Sequence, residues 1–212
     1  MTKPQAKTMP YSPQNLRTLL DRQSGIVMPI AGTEPVTAES LLSDDSRQFL
    51  AAWKQWRGDR LAPQRAEMDL VSIARLMPKL ALLDVFSPER AVFRLAGCDI
   101  ERLVGMRLMG CNFVAMAAEE QRATRSRLVW QTATWPCGVL SFHALPQPGA
   151  ARAHHVEVFA LPIRPDSAEA PMQVLALASR LPVRQQEQSS KLPLAQTGVT
   201  QHFIDIGAGL PA

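Results

Sequence analysis

Four histidines, His143, His154, His155 and His202, are the residues whose chemistry could bind a metal ion or haem. Adjacent residues on a strand point to opposite faces, so His154 and His155 cannot both reach one ligand. If residues 145–152 close as a symmetric loop, His143 and His154 lie across from each other and could bind a metal, or one of them a haem. No HExxH string, zinc-type spacing or carboxylate cluster accompanies them. We therefore expect no metal site and no haem, with His143 and His154 as the weak metal candidates.

Nucleophilic catalysis has no better support in the sequence. Ser141 and His143 lie two apart on one predicted strand and share a face, but no acid accompanies them. The GxSxG motif is absent, and GxG occurs only at residues 207–209, with no helix after it. We therefore expect no catalytic residue and predict that the chain is not an enzyme.

Composition limits the other function classes. The 212 residues are 46% hydrophobic and carry a net charge of +4 with the positive residues scattered, so nucleic acid is not an expected partner. Three cysteines, Cys98, Cys111 and Cys137, form no CxxC pair, which favours reduced thiols. The N-terminus has no apolar signal core and no run is long enough to cross a bilayer, so we expect a cytoplasmic protein without membrane contact.

The elements that would position these residues begin after a proline-rich stretch, residues 1–42, which we interpret as a flexible arm. A helix then runs from the cap candidates near Ser43 to Gly58. Phe49, Trp53 and Trp56 share one face of it at i, i+4 and i+7. This stripe predicts either a helix packed on the chain's own core or a dimer interface.

The rest of the domain is mostly strand. Residues 80–86 and 91–96 predict a hairpin, short helical turns follow, and a longer helix covers about 118–132. Three further strands are predicted at 138–145, 154–162 and 172–181, and we interpret 182–212 as a C-terminal tail. Strands at both ends with helices between them indicate an α+β fold with helices over one face of a sheet.

That element order resembles a PAS domain, and more narrowly a family of standalone bacterial PAS-like proteins formerly catalogued as a domain of unknown function. The resemblance spans about Asp45 to Leu181, and the matching pieces are Trp56-Arg57, Pro63, Arg65, Met68-Asp69, Leu76-Met77-Pro78, Phe93-Arg94-Leu95-Ala96-Gly97, Gly105 and Gly110. Leu70 stands where the family often has proline, and Cys98 where a small hydroxyl residue is usual.

The resemblance implies a five-stranded antiparallel sheet with short helices on one face, an N-terminal flanking helix and a small pocket, all within residues 43–181. It also implies sensing or protein interaction without naming the ligand. Cys111-Asn112-Phe113 resembles the flavin-adduct motif of light-sensing PAS domains, but the order is inverted and no NCRFLQ-like string exists. We therefore expect no flavin adduct, and the cofactor remains unknown.

A pocket in this fold would be lined by apolar residues on the second strand, the short helices, the longer helix and the third strand: Leu95, Leu103, Met106, Met109, Phe113, Met116, Leu128, Leu140 and Phe142. A closed core without a ligand is an equal alternative. Arg94 could orient an acidic ligand beside this pocket, or it could pair with Asp84 across the hairpin.

Two functional hypotheses follow. The first is a cytoplasmic PAS-like sensory or regulatory module that binds a small molecule or a protein partner and signals in trans. The second is a ligand-free adaptor that forms a homodimer through Phe49, Trp53 and Trp56. The first predicts a releasable or titratable ligand, whereas the second predicts only concentration-dependent association.

Overall fold

One antiparallel sheet organises the part of the chain that the structure describes. The structure is a computed structural model and describes residues 42–145, 154–181 and 199–209. The strands are β1 (Leu80–Ser87), β2 (Arg90–Ala96), β3 (Gly138–Leu145), β4 (His154–Ile163), β5 (Met172–Arg180) and β6 (Val199–Ile204). They are hydrogen-bonded in the order β2-β1-β5-β4-β3-β6.

Within the described residues, three α-helices and two 3₁₀ helices accompany the sheet. They are α1 (Asp44–Arg57), the 3₁₀ helices Arg65–Glu67 and Leu70–Lys79, α2 (Cys98–Val104) and α3 (Glu119–Thr134). The predicted start of α1 is confirmed, because the Ser43 side chain accepts a hydrogen bond from the Ser46 N–H. Asp44 and Asp45 then lie in its positive first turn, and the helix ends at Gly58.

Each face of the sheet has its own core. We call the face packed against α2 and α3 the inner face, where Leu83 and Phe93 belong to one buried apolar cluster with Ile100 and Val129. The outer face packs against α1 and the Leu70–Lys79 helix, and its larger core contains mainly leucine, isoleucine and aromatic side chains. The apolar character of both faces of β5 follows from this double cover.

The tryptophan stripe of α1 lies in the outer core. Phe49 and Trp53 are fully buried and Trp56 is 7% exposed. The Trp53 indole N–H donates to the carbonyl oxygen of Pro162 at 2.9 Å, which fixes α1 to the end of β4. Lys54 and Gln55, on the opposite side of the helix, are exposed. The structure therefore places these interface candidates inside the chain, as in the core-helix alternative.

The fold agrees with the predicted α+β architecture, but the sheet has one strand more than predicted. The five predicted strands occur within two residues of their expected bounds. The sixth, β6, lies in the segment interpreted as a tail and pairs with β3, where Ile204 and Ile206 become buried. Its short run follows a long polar stretch, so the sequence alone does not show a pairing partner. The predicted N-terminal arm, residues 1–42, lies outside the described residues except for Leu42, which is buried.

Within residues 42–145, 154–181 and 199–209, no helix combines the length and apolarity that a membrane span requires.

Candidate ligand site on the inner face

The middle of the inner face carries small side chains that the helices leave partly accessible. Register pairs Val158 with Ala178 and Ala160 with Ala176 across β4 and β5, and all four are only half-buried. Their neighbours on the outer face of the same strands, such as Leu177, are fully buried. The accessibility of these four side chains shows that the helices do not cover this part of the face completely, although Ala160 and Ala178 also pack against the inner core. We call the region above them the inner cleft, and the four residues its floor.

Ser141 and His143 form a polar edge beside the floor. Register places Ser141 next to Val158 and His143 next to Val156, on the same face. The Ser141 hydroxyl and His143 Nε2 are 2.9 Å apart, which is a hydrogen bond. Burial, together with the positive charge of Arg125, lowers the pKa of His143 from 6.5 to about 4. The imidazole is therefore neutral at physiological pH and can donate or accept one hydrogen bond at each nitrogen.

Arg125 reaches into the same layer from α3. Its Nη1 donates to the carbonyl oxygen of Phe113 at 3.0 Å, and its guanidinium lies 4.6 Å from the centroid of the Phe113 ring. Such a cation–π contact holds the planar guanidinium in one orientation. Since α3 crosses β1, β5, β4 and β3, a side chain on this helix can face the floor and the Ser141–His143 pair together.

Three predicted pocket residues come together on this side of the sheet. Met106, Phe113 and Met116 all pack against the inner core, and the Phe113 ring meets Phe93 edge to face at 5.9 Å. Leu103 and Leu128 are half-buried on α2 and α3. Met106, Phe113 and Met116 therefore supply adaptable apolar groups on the same side of the sheet as the floor.

Four other predicted pocket residues lie elsewhere. Leu140 is fully buried in the outer core and Phe142 packs against it, because β3 presents Val139, Ser141 and His143 to the inner face. Leu95 is paired with Leu82 on the outer face and is 36% exposed, and Met109 is 67% exposed. The sequence analysis places all of these residues around one pocket, but Leu140 and Phe142 of β3 pack in the outer core, on the same side of the sheet as α1. Leu95, Met109, Leu140 and Phe142 therefore do not line the inner cleft.

Arg94 pairs with Asp84, which is one of the two roles that the sequence left open for it. Its Nη1 lies 3.2 Å from Oδ2 of Asp84, across the hairpin and on the outer side. Gln173 donates to the other Asp84 oxygen at 2.6 Å. Leu82, Leu95 and Leu175 lie beside this group and line a groove of about 80 Å³. That volume is below the roughly 300–1,000 Å³ of ordinary small-molecule pockets, so this groove is not our candidate site.

The histidine pair predicted across β3 and β4 requires a correction. Register sets His143 opposite Val156, and His154 opposite Leu145, so the two histidines are not directly opposed. The observed register is therefore shifted by two residues from the symmetric one that would place His143 directly opposite His154. Among the residues that the structure describes, no group of three His, Cys, Asp or Glu side chains could hold a metal ion.

The Cys111-Asn112 stretch has a structural role at the edge of β2. The Asn112 side chain accepts hydrogen bonds from the Ala91 and Val114 N–H groups and donates to the Glu89 carbonyl oxygen at 2.9 Å. The Phe93 N–H donates to the Cys111 carbonyl oxygen at 3.0 Å. This stretch therefore holds the loop after α2 against the hairpin.

Sequence reasoning missed Arg125, Ser141 and the floor as parts of one site. The floor has a sequence signal, since β5 alternates large and small residues in Leu175-Ala176-Leu177-Ala178. Such alternation places the two alanines on one face of the strand and the two leucines on the other. The position of Arg125 has no comparable signal, because it depends on how α3 crosses the sheet.

Comparison with solved structures gives similar folds at low identity. The PAS domain of BvgS from Bordetella pertussis is 14% identical, with 60% of this chain and 98% of that chain covered and a TM-score of 0.40. A Vibrio cholerae VqmA dimer in the absence of target DNA is 16% identical, with 58% and 56% covered and a TM-score of 0.38. VqmA bound to DPO is 16% identical, with 57% and 61% covered and a TM-score of 0.37. The chain thus spans less than two thirds of these VqmA chains.

No curated protein matches the chain. A family model described as PAS domain matches residues 42–178, which is more than half of the chain and includes α1 to α3, both described 3₁₀ helices, strands β1 to β4 and most of β5. That range also includes the floor of the inner cleft, Ser141, His143 and Arg125. The chain therefore belongs to the PAS domain family.

Proposed function

We propose that this chain is a sensory or regulatory PAS module that binds a small molecule in the inner cleft and signals to a protein partner in trans, without catalysing a reaction. Membership of the PAS family supports the sensory or regulatory class. The partly accessible floor of Val158, Ala160, Ala176 and Ala178 is the observation that carries ligand binding. Ligand sites are mostly apolar with a few placed polar groups, and the floor with its neighbouring Ser141–His143 pair has that composition.

The same arrangement gives the ligand a way to alter the protein. A molecule on the floor would contact α3 on one side and β4 and β5 on the other. Binding there would change how α3 packs on the sheet, and a partner that contacts α3 could detect the difference.

The three cysteines are free thiols, which supports a reducing compartment such as the cytoplasm.

The test is to fill the cleft. Ala176→Leu adds three carbon atoms above the floor, whereas Ala123→Leu makes the same change at an exposed position of α3. We would purify both variants and the natural chain, record absorption spectra, and identify released small molecules by mass spectrometry after denaturation. Proteins with no releasable molecule would be screened with a metabolite panel by thermal shift.

We expect a molecule released from, or stabilising, the natural chain and Ala123→Leu, and none with Ala176→Leu. Thermal unfolding of Ala176→Leu checks that it is folded, and Ala178→Val is a smaller change at the neighbouring floor position. A ligand that binds all the variants equally would contradict the proposed site. A natural chain that releases nothing and responds to no compound would contradict ligand sensing.

The dimerising adaptor has no specific structural support in this form. Its interface would need Phe49, Trp53 and Trp56, whose side chains are already covered by the chain's own sheet. Exposing them for a second copy would mean detaching α1, at the cost of an entire hydrophobic face.

A further inference from the structure

The strand β6 lies outside the part of the chain that the family model matches. That match ends at residue 178, whereas β6 begins at Val199 and pairs with β3 along its whole length. The opposite edge of the sheet is closed from within the matched range, because the Phe93 N–H donates to the Cys111 carbonyl oxygen and the Phe113 N–H to that of Ala91. The β3 edge is therefore a strand-binding edge that a separate segment of this chain fills.

Two isoleucines hold this segment on the sheet. Ile204 and Ile206 are 3% and 5% exposed and belong to the outer core. Ile204 is paired with Gly138, and a Cβ atom at Gly138 would lie 3.3 Å from the Ile204 Cβ and equally close to the side chains of Phe159 and Leu161. A side chain at residue 138 would therefore take up space that the isoleucine uses, so the glycine opens a seat for it.

The connection to β6 is much longer than its path requires. Register places Arg180, Val156, His143 and Val199 in one row across β5, β4, β3 and β6. With strands about 4.8 Å apart, this row spans roughly 14 Å. The 18 residues between Arg180 and Val199 could extend over about 60 Å. The strand β6 can therefore leave β3 and return by a local opening that does not strain the rest of the sheet.

Arg57, the last residue of α1, contacts the chain just after β6. Its Nη1 donates to the Ile206 carbonyl oxygen at 2.6 Å, and a Cβ atom at Gly207 would lie 3.2 Å from Nη1 and 3.8 Å from Nη2. Among residues 42–145, 154–181 and 199–209, no carboxylate forms an ion pair with Arg57, and its buried Nε has no acceptor. A carboxylate in place of the Ile206 carbonyl group would be a stronger acceptor for this guanidinium.

Resting on the proposed signalling in trans, we infer that the β3 edge is a docking site for the C-terminal strand of a partner protein, which displaces β6. The occupant is an extended segment with β-branched apolar residues at the positions of Ile204 and Ile206, and it ends at the latter with its terminal carboxylate on Arg57. The residue between them is uncharged, because the Asp205 carboxylate accepts from the Gly207 N–H at 2.7 Å and would lie beside the terminal carboxylate.

A second copy of this chain is a poorer occupant of the same edge. Its β6 would only replace an identical strand, and residues follow Ile206, so the acceptor for Arg57 would again be a neutral carbonyl oxygen. The docking site also lies where α3 joins the sheet, since Gly138 comes four residues after Thr134, the last residue of α3. A strand paired with β3 there would contact the element next to the helix whose packing the ligand would change.

The probe is a labelled eight-residue peptide, VTQHFINI, which repeats residues 199–206 with Asn in place of Asp205. Its binding to the full chain would be measured by fluorescence anisotropy. The double variant Ile204→Ser with Ile206→Ser weakens the hold of β6, whereas Gln201→Ser changes an exposed position of the same strand. We expect the double variant to bind the peptide at least about tenfold more tightly than the natural chain or Gln201→Ser, because β6 occupies the edge in both of these.

Arg57 should distinguish two forms of the peptide, one with a free C-terminus and one with an amidated C-terminus. The double variant should bind the free acid at least about tenfold more tightly than the amide. Adding Arg57→Gln should remove this difference, while Arg57→Lys should retain part of it because the charge remains. Arg60→Gln, which removes an exposed guanidinium paired with Glu67, should leave the difference unchanged.

Hydrogen exchange tests the release of β6 in the natural chain. Backbone amides of β6 should exchange at least about tenfold faster than those of β4, because β6 opens locally. An excess of the acid peptide should speed the exchange of β6 further while β3 stays protected. Thermal unfolding checks that each variant is folded, and if the double variant is not, the exchange measurement on the natural chain decides.

Equal peptide binding by the natural chain and a folded double variant would overturn the inference, and so would β6 amides as slow as those of β4 that the peptide does not affect. Equal binding of acid and amide would exclude the C-terminal strand that we infer. Dimers of the natural chain that disappear in the double variant would assign the edge to a second copy instead. The proposed ligand site is judged separately, by the cleft-filling variants and the released molecule, so the two can fail independently.

Discussion

Gly97 lies directly against Pro78, so that a Cβ atom at Gly97 would be only 2.2 Å from the Pro78 carbonyl oxygen. The Gly97 N–H also donates to the Leu80 carbonyl oxygen at 2.8 Å. The end of β2 and the entry to β1 are thereby held together. Two of the family motifs, Leu76-Met77-Pro78 and the glycine that closes Phe93–Gly97, are parts of this single contact.

Gly97→Ala should therefore destabilise the protein by about 3 kcal/mol or more, because the clash is with rigid backbone rather than with a movable side chain. Gly110→Ala is the control, since Gly110 has a positive φ of 82° but no neighbouring atom within 4 Å of an added Cβ. Its cost should be about 1–2 kcal/mol, from the left-handed conformation alone. Urea unfolding at neutral pH measures both, and equal losses would contradict the steric explanation.

Trp53→Ala tests whether the tryptophan stripe belongs to the core. Removing a fully buried indole should cost about 3–5 kcal/mol and also leave the Pro162 carbonyl oxygen without its donor. Trp53→Phe should lose less, and Gln55→Ala on the exposed side of α1 should change little. The readouts are thermal unfolding and elution volume at several concentrations. A concentration-dependent shift in elution with unchanged stability would instead support an interface.

The sequence predicts the large-scale fold well because its signals are local. Ser43 caps α1, Gly58 ends it, and each predicted strand is a run of apolar residues between turn residues. The face of each side chain was harder to predict. The sequence analysis places Leu140 and Phe142 beside the predicted pocket, but the sheet has two cores, and nothing within β3 says which core receives the larger residues.

The remaining parts of the site depend on contacts between residues far apart in sequence. Arg125 meets Phe113 because of the path of the loop before α3, and β6 pairs with β3 across a gap of more than fifty residues. Neither contact leaves a periodic pattern. The alternation of leucine and alanine in β5 is the one local signal that indicates the cleft floor.

Glu157→Gln should make stability less dependent on pH. Burial raises the pKa of the Glu157 carboxyl above its ordinary value of 4.5, despite hydrogen bonds from Ser43 and Ser46 that act in the opposite direction. Because the pKa is raised in the folded state, the group contributes its full stabilisation at pH values below its ordinary pKa. This contribution is lost as the pH rises through the pKa of the folded state. Natural protein should therefore lose stability relative to Glu157→Gln as the pH rises from about 4.5.

Unfolding in urea across this pH range measures the effect. Glu157→Ala is the informative companion, because it removes the acceptor for the buried Ser43 N–H and hydroxyl groups and should destabilise the start of α1 at every pH. A difference between the natural protein and Glu157→Gln that stays constant with pH would contradict a raised pKa.

His143 should lower the stability of the protein as the pH falls, which is the opposite of the pH dependence expected from Glu157. Its pKa is lowered from 6.5 to about 4 by burial and by Arg125, so the folded state resists protonation. A lowered folded-state pKa gives a contribution that is full above 6.5 and is lost as the pH falls toward 4. At about 1.4 kcal/mol for each pKa unit, the loss over this window is about 3 kcal/mol.

His143→Gln removes the titrating group, so its unfolding free energy should fall less than that of the natural protein between pH 6.5 and 4. His155→Gln, half-buried on the opposite face of the sheet, should retain the natural acid sensitivity. NMR titration of the imidazole gives the pKa directly, and a midpoint at the ordinary value would show that His143 is solvated. Such a midpoint would also contradict the neutral imidazole that we describe at the inner cleft, because the ring would gain a proton at mildly acidic pH.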